Sequence, residues 1–171
     1  MTQYVDVEIY ADIICPWCYI GKKRLDAAFA ARPHVTPRYI WRCFLLNPAM
    51  PSAGMDRQTY LIGKFGNAAK AVYGRIADAG LESGIAFNFD GIQRTPDSRK
   101  THRHLLAAAA KGHDLSDAFF KAYFIDGRDI GDDDELAKIA HEQGFSIDPT
   151  SLADPALDRQ IANDIEMSRQ L

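Results

Sequence analysis

Val5, Val7, Ile9 and Ala11 alternate with Asp6, Glu8, Tyr10 and Asp12. This is the period of a strand with one apolar face, and Ile13 and Ile14 carry it on to Cys15. From Pro16 to about Ala31 the spacing becomes helical. Gly21, Leu25, Ala28 and Phe29 continue the face that holds Cys18, and Lys23, Asp26 and Ala30 lie outside it. Arg32-Pro33-His34 ends the helix, because the residue before a proline avoids helical backbone. A second strand is expected over residues 35–46, with Tyr39, Trp41, Cys43 and Leu45 on one face and Pro37 near its start or on an edge. Strand, helix, strand in this order predicts a crossover between parallel strands. The loop before the helix then falls at the C-terminal end of the first strand, where open α/β sheets place their sites.

Asn47 to Gly54 is rich in turn residues and marks a boundary. Beyond it the pattern is helical. Asp56 caps a helix to about Phe65 with Gly66 as its stop, and Asn67 caps the next, which runs to Gly80. Residues 85–89 read as a short extended piece or loop packed by its aromatics. Helices follow from Thr95-Pro96-Asp97-Ser98 to Lys111 and over 115–124. Another starts at the acidic run Asp132–Glu135, where the helix dipole favours negative charge, and ends at Gly144. Asp154-Pro155 begins a last one reaching Leu171.

The chemistry concentrates at Cys15-Pro16-Trp17-Cys18. Proline is favoured at the first helical position, which makes Cys15 the N-cap. A sulfur there sits among unpaired N–H groups at the positive end of the helix, so its thiolate is stabilised. Cys18 falls one turn later on the same side, within disulfide reach. Cys15 is therefore expected to be the exposed nucleophile and Cys18 the shielded, resolving thiol. A permanent disulfide fits poorly without an export signal, and a zinc site lacks a second Cys-x-x-Cys, so no metal is expected. Cys-x-x-Cys at a strand-to-helix junction points instead to a redox pair.

Several other residues have roles to weigh. Asp12 either accepts a proton from Cys18 or, as a strand-end carboxylate, bonds backbone N–H groups. Pro16 and Trp17 tune the thiolate, and Trp17 either offers substrate an apolar surface or packs under the helical region. Asn47 and Pro48, after the second strand, are candidates for lining a substrate cleft, and His102 is a third. Cys43 reads as a buried, inert thiol. Lys22, Lys23 and Arg24 read as solvated charges.

Bulk properties narrow the classes. A chain of 171 residues holds one domain, or one with a large insertion. A net charge of −3 gives no reason to expect nucleic acid, and no apolar stretch is long enough to expect a membrane span. The N-terminal residues lack the basic segment and apolar run of a signal peptide, so a cytoplasmic, thiol-reducing setting is expected.

Cys15 to Gly21 after Tyr10-Ala11-Asp12 resembles the FrnE-like branch of the DsbA family. Phe44-Leu45-Leu46-Asn47-Pro48, Tyr60-Leu61 with Lys64-Phe65-Gly66, Gly84-Ile85 with Phe87, Arg94 with Pro96, His102-Arg103, and Ala122-Tyr123-Phe124 with Asp129-Ile130 match it in order along nearly the whole chain. The resemblance implies an α/β thioredoxin-like fold with an all-helical insertion domain. The thioredoxin part is expected over residues 1–48 and 145–171 and the insertion over 49–144. It also implies thiol–disulfide oxidoreductase activity on a protein or small-molecule thiol or disulfide, through Cys15 and Cys18. No bound cofactor is expected. Glutathione as co-substrate and a homo-oligomer are both compatible with it. The family continues into a cis-proline loop, two more strands and a helix, whereas this sequence stops at Leu171, so a thioredoxin unit lacking its C-terminal strands is expected. Kappa-class glutathione transferases and 2-hydroxychromene-2-carboxylate isomerases resemble the chain around the motif but typically carry serine at the first cysteine. A glutathione-dependent isomerase or transferase is thus the alternative function, and a non-catalytic binding protein the third.

Overall fold

The structure, a computed structural model, describes residues 3–170. The alternating segment forms β1 (Gln3–Ala11), which pairs in parallel with β2 (Val35–Cys43) from Gln3 opposite Val35 to Ala11 opposite Cys43. Between them runs α1 (Pro16–Ala30). β2 ends at Cys43, short of the expected Leu46, because the Leu46 N–H turns away to donate to Asp12 Oδ2 at 2.7 Å. Arg38–Asp6 and Arg42–Glu8 ion pairs cross between the two strands.

The insertion is helical apart from one two-residue antiparallel ladder, β3 (Met55–Asp56) against β4 (Arg94–Thr95), for which two residues give no readable period. Its helices are α2 (Arg57–Phe65), α3 (Ala69–Glu82), α4 (Arg99–Ala109), α5 (Ser116–Phe124) and α6 (Asp133–Glu142). The one-turn α7 (Pro149–Leu152) and α8 (Pro155–Ser168) follow. The expected run to Leu171 stops at Ser168, and Leu171 itself, with Met1 and Thr2, lies outside the described residues. Carboxylates cap the starts as expected: Asp56 accepts from Thr59 N–H, Asp132 from Glu135 N–H and Asp154 from Ala156 N–H. Asn67 does not cap α3; it sits inside a 3₁₀ turn over Gly66–Ala68 that leads directly into that helix.

One core cluster runs from the β1 end and α1 into α3–α6, across the expected boundary at residue 49. Its centre is aromatic: Tyr19, directly after Cys18, stacks on Phe120 with centroids 4.9 Å apart, and Trp41, Phe87 and Phe124 close around them. Such rings carry much of the burial energy and have directional preferences. That stack sets the rotation of α1. Its buried face is Pro16, Tyr19, Ile20 and Lys22, and the expected stripe is only half-buried at Leu25 and Phe29 and exposed at Gly21 and Ala28. The helix leans on α3 and α5 as well as β2, so a stripe read for packing on a sheet alone misplaces its inner side. Lys22 is buried, contrary to its expected solvation, because Asp26 at 2.7 Å and Asp117 at 3.6 Å hold its ammonium and the Tyr39 ring faces it. A second cluster gathers Cys43, Leu45, Leu106, Ala107, Leu157 and Ile161 where α4 and α8 meet the end of β2. There the buried Asp164 accepts a 3.0 Å hydrogen bond from the Cys43 N–H and so covers that part of the strand edge.

Candidate active site

Cys15 is the N-cap of α1, with φ −97° and ψ 111°, and Pro16 opens the helix. Its carbonyl accepts from the N–H groups of Cys18 and Tyr19, and no side chain caps the helix start. The sulfur is therefore left to meet the open end of the helix. Both cysteines are free thiols within hydrogen-bonding reach of each other. The Cys18 thiol donating to Cys15, with help from the backbone N–H groups of Cys18 and Trp17, holds the Cys15 pKa below the usual thiol value, against burial and the Asp12 charge. The same contact, with burial and the Cys15 charge, pushes the Cys18 pKa far up. Of the two thiols, Cys15 is therefore the more readily ionised.

The expected order of exposure is reversed. Cys15 is 8% exposed and Cys18 is half-buried. Cys15 directly follows Ile13 and Ile14, which are buried in the core cluster that extends into α3–α6, so the loop that carries the first cysteine is anchored inward. Trp17 is 51% exposed and does not pack under the insertion.

Asp12 is completely buried behind the pair. Its Oδ1 accepts from the Ile14 N–H at 3.2 Å and its Oδ2 from the Leu46 N–H at 2.7 Å, which pins the two β-strand ends together. His102, on α4, brings Nε2 to 3.8 Å from Asp12 Oδ1. Burial alone would pull the His102 pKa down, but Asp12 and Cys43 outweigh it and push it up to about 10. His102 is buried rather than in a cleft: α4 packs against β2 and turns that ring inward, toward Asp12 and Cys43. Cys43 is buried, as its place on the inner face of β2 requires.

Asn47 lines a cavity of about 340 Å³ together with Leu46, Met55, Tyr60 and Lys64. Pro48 is exposed and outside that lining; its carbonyl accepts from Arg99 Nη2 at 2.8 Å, which ties the loop to α4. Sequence reasoning missed Arg57, a buried cation packed against the Tyr60 and Tyr73 rings, and Tyr73 itself. Neither has a local signal, since both depend on how α2 and α3 fold back. Among the described residues no group of three or more His, Cys, Asp or Glu side chains is placed to hold a metal, and no helix is long and apolar enough to cross a membrane.

Comparison with known proteins gives this geometry a family. Residues 6–171 match the DSBA-like thioredoxin domain. The fold superposes on a probable DsbA oxidoreductase from Streptomyces coelicolor with a TM-score of 0.83 and 31% identity, covering 96% of this chain and 75% of that one. The cytosolic disulfide reductase DsbM from Pseudomonas aeruginosa has the same fold, with a TM-score of 0.64 at 19% identity over 97% of this chain and 79% of its own. A Bacillus subtilis relative, the uncharacterized protein YwbO, is 27% identical over 145 residues, 82% of this chain and 67% of that protein. The chain belongs to the DsbA-like thioredoxin domain family.

Proposed function

We propose that the protein is a thiol–disulfide oxidoreductase that works through Cys15 and Cys18. The observation that carries this reading is the asymmetric thiol pair: Cys15, at the open start of α1, favours the thiolate, while Cys18 holds its proton beside it. The Cys15 thiolate attacks one sulfur of a substrate disulfide, forming a mixed disulfide and expelling the other half as a thiolate that takes up a proton. Loss of negative charge from Cys15 then removes what held the Cys18 proton. Cys18 deprotonates and attacks the Cys15 sulfur, releasing the second substrate thiol and leaving the Cys15–Cys18 disulfide. Two electrons pass from the dithiol to the substrate, and two external thiols restore it. Run backwards, the same steps oxidise a substrate dithiol.

Asp12 is read here as a positioning residue: it fixes the loop that carries Cys15, and its charge opposes both thiolates. Trp17, exposed beside the pair, offers the apolar surface against which a substrate rests. The FrnE-like branch, with residues 1–48 and 145–171 as the thioredoxin part and 49–144 as the insertion, belongs to the same reading; the Cys15–Gly21 motif and the Leu46-Asn47-Pro48 segment support it. So does a cytoplasmic setting, where reduced thiols regenerate the dithiol. Reduction of insulin by the purified protein tests the proposal. Wild type is expected to turn over and Cys15→Ser to be inactive, whereas full activity in Cys15→Ser would remove it.

A further inference from the structure

Arg57, the first residue of α2, is 4% exposed. Its Nη1 donates to Thr95 Oγ1 at 3.1 Å, but Nε and Nη2 have no hydrogen-bond partner, and no carboxylate among the described residues pairs with it. Its charge lies 5.8 Å from the Tyr60 ring centroid and 5.0 Å from that of Tyr73. Aromatic faces offset part of the cost of burying a cation, but a buried charge without a counter-ion stays expensive. Lys64 also lacks a carboxylate partner among the described residues; its Nζ donates to the Tyr60 hydroxyl at 3.1 Å. The two cations thus flank Tyr60, and Tyr60 and Lys64 form one wall of the 340 Å³ cavity. Leu46 and Asn47 form another wall, and the Leu46 N–H is bonded to Asp12, three residues before Cys15.

We infer that this cavity binds the carboxylate of a small thiol or disulfide substrate, with Lys64 and the Tyr60 hydroxyl at its wall and Arg57 as the buried counter-charge behind Tyr60. The inference rests on the oxidoreductase reading and names its substrate class. A cavity of this size suits a small molecule. Arg57 does not line the cavity, so it acts on the carboxylate through its charge and not through a hydrogen bond.

The test compares glutathione disulfide, which carries carboxylates, with bis(2-hydroxyethyl) disulfide, which carries none. The readout is the ratio of kcat/KM for the first over the second, together with binding of S-methylglutathione, which cannot exchange, by calorimetry. Arg57→Met should lower the ratio roughly tenfold and weaken S-methylglutathione to match, the loss of the positive charge buried behind the Tyr60 wall. Lys64→Gln, at an exposed side chain, should lower both about two- to fivefold. Arg57→Lys should recover part of the loss, which guards against misfolding of Arg57→Met. A ratio unchanged in Lys64→Gln and Arg57→Lys, with no S-methylglutathione binding to wild type, would overturn the inference while insulin reduction left the oxidoreductase reading standing. Wild type that exchanges neither disulfide but binds S-methylglutathione through Arg57 would keep the site and sink that reading. Variants that impair insulin reduction alone would assign the cations to a protein substrate and overturn the small-molecule site.

Discussion

Replacing Asp12 by Asn should weaken the fold and acidify the active thiol at once. The carboxylate is fully buried, accepts from two backbone N–H groups and lies 3.8 Å from His102 Nε2. At 3.8 Å and an effective dielectric constant of about 20, the ionic attraction to a protonated imidazole is about 4 kcal/mol. Asn also leaves its NH₂ facing one of the two N–H donors, and each charge-assisted hydrogen bond is worth about 1.5–3 kcal/mol. These losses are not fully additive, because His102 sheds its proton once its partner is neutral. The expected net cost is therefore about 3–5 kcal/mol, typical of breaking a buried pair from one side. In a chain of this size that lowers Tm by on the order of 10 °C. The thiols respond with the opposite sign. Asp12 raises both of their pKa values, so its neutralisation should move the alkylation of Cys15 by iodoacetamide to lower pH. Urea unfolding of the reduced protein gives the first quantity, and the pH dependence of the alkylation rate gives the second. The cycle Asp12→Asn, His102→Gln and the double variant should be clearly less than additive. A stability loss under about 1 kcal/mol, or an alkylation profile moved to higher pH, would refute the reasoning.

His102 makes stability depend on pH. Its folded pKa, about 10, lies above the roughly 6.5 of an unfolded histidine, so its contribution is complete below about 6.5 and lost as pH rises toward 10. The unfolding free energy of wild type minus that of His102→Gln should fall across this window, and a flat difference would contradict the ion pair. Asp164→Ala leaves the Cys43 N–H without its acceptor and removes the second carboxylate near Arg42, so a loss of about 1–3 kcal/mol is expected in urea unfolding, with Asp164→Asn recovering part of it.

The thiol pair was legible because its chemistry is local. Pro16 sets the helix start, Cys15 becomes its cap, and three residues return Cys18 to the same side. The parallel β1–α1–β2 unit was legible for a similar reason, as a two-residue period broken once by a helical one. Carboxylate caps at Asp56, Asp132 and Asp154 also act within a few residues of themselves. What the pattern could not give was decided by tertiary contact. The rotation of α1 follows from Tyr19 stacking on Phe120, a residue a hundred positions away, and not from its own apolar stripe. Lys22 looks like a surface lysine until Asp117 arrives from α5. His102 looked like a residue for a cleft, but α4 turns it toward Asp12, and Cys15 is buried on a loop whose Ile13 and Ile14 are anchored in the core shared with α3–α6. Arg57 carries no local mark at all, since an arginine at a helix start is ordinary until two tyrosines and Thr95 pack against it.

Mass spectrometry of the mixed disulfide formed when Cys18→Ala meets a disulfide substrate bears most directly on the division of labour between the two thiols. The adduct should map to Cys15, persist for lack of a resolving thiol, and be absent from Cys15→Ala. An adduct on Cys18 or Cys43 in the wild-type background, or equal labelling of Cys15→Ala, would contradict the account.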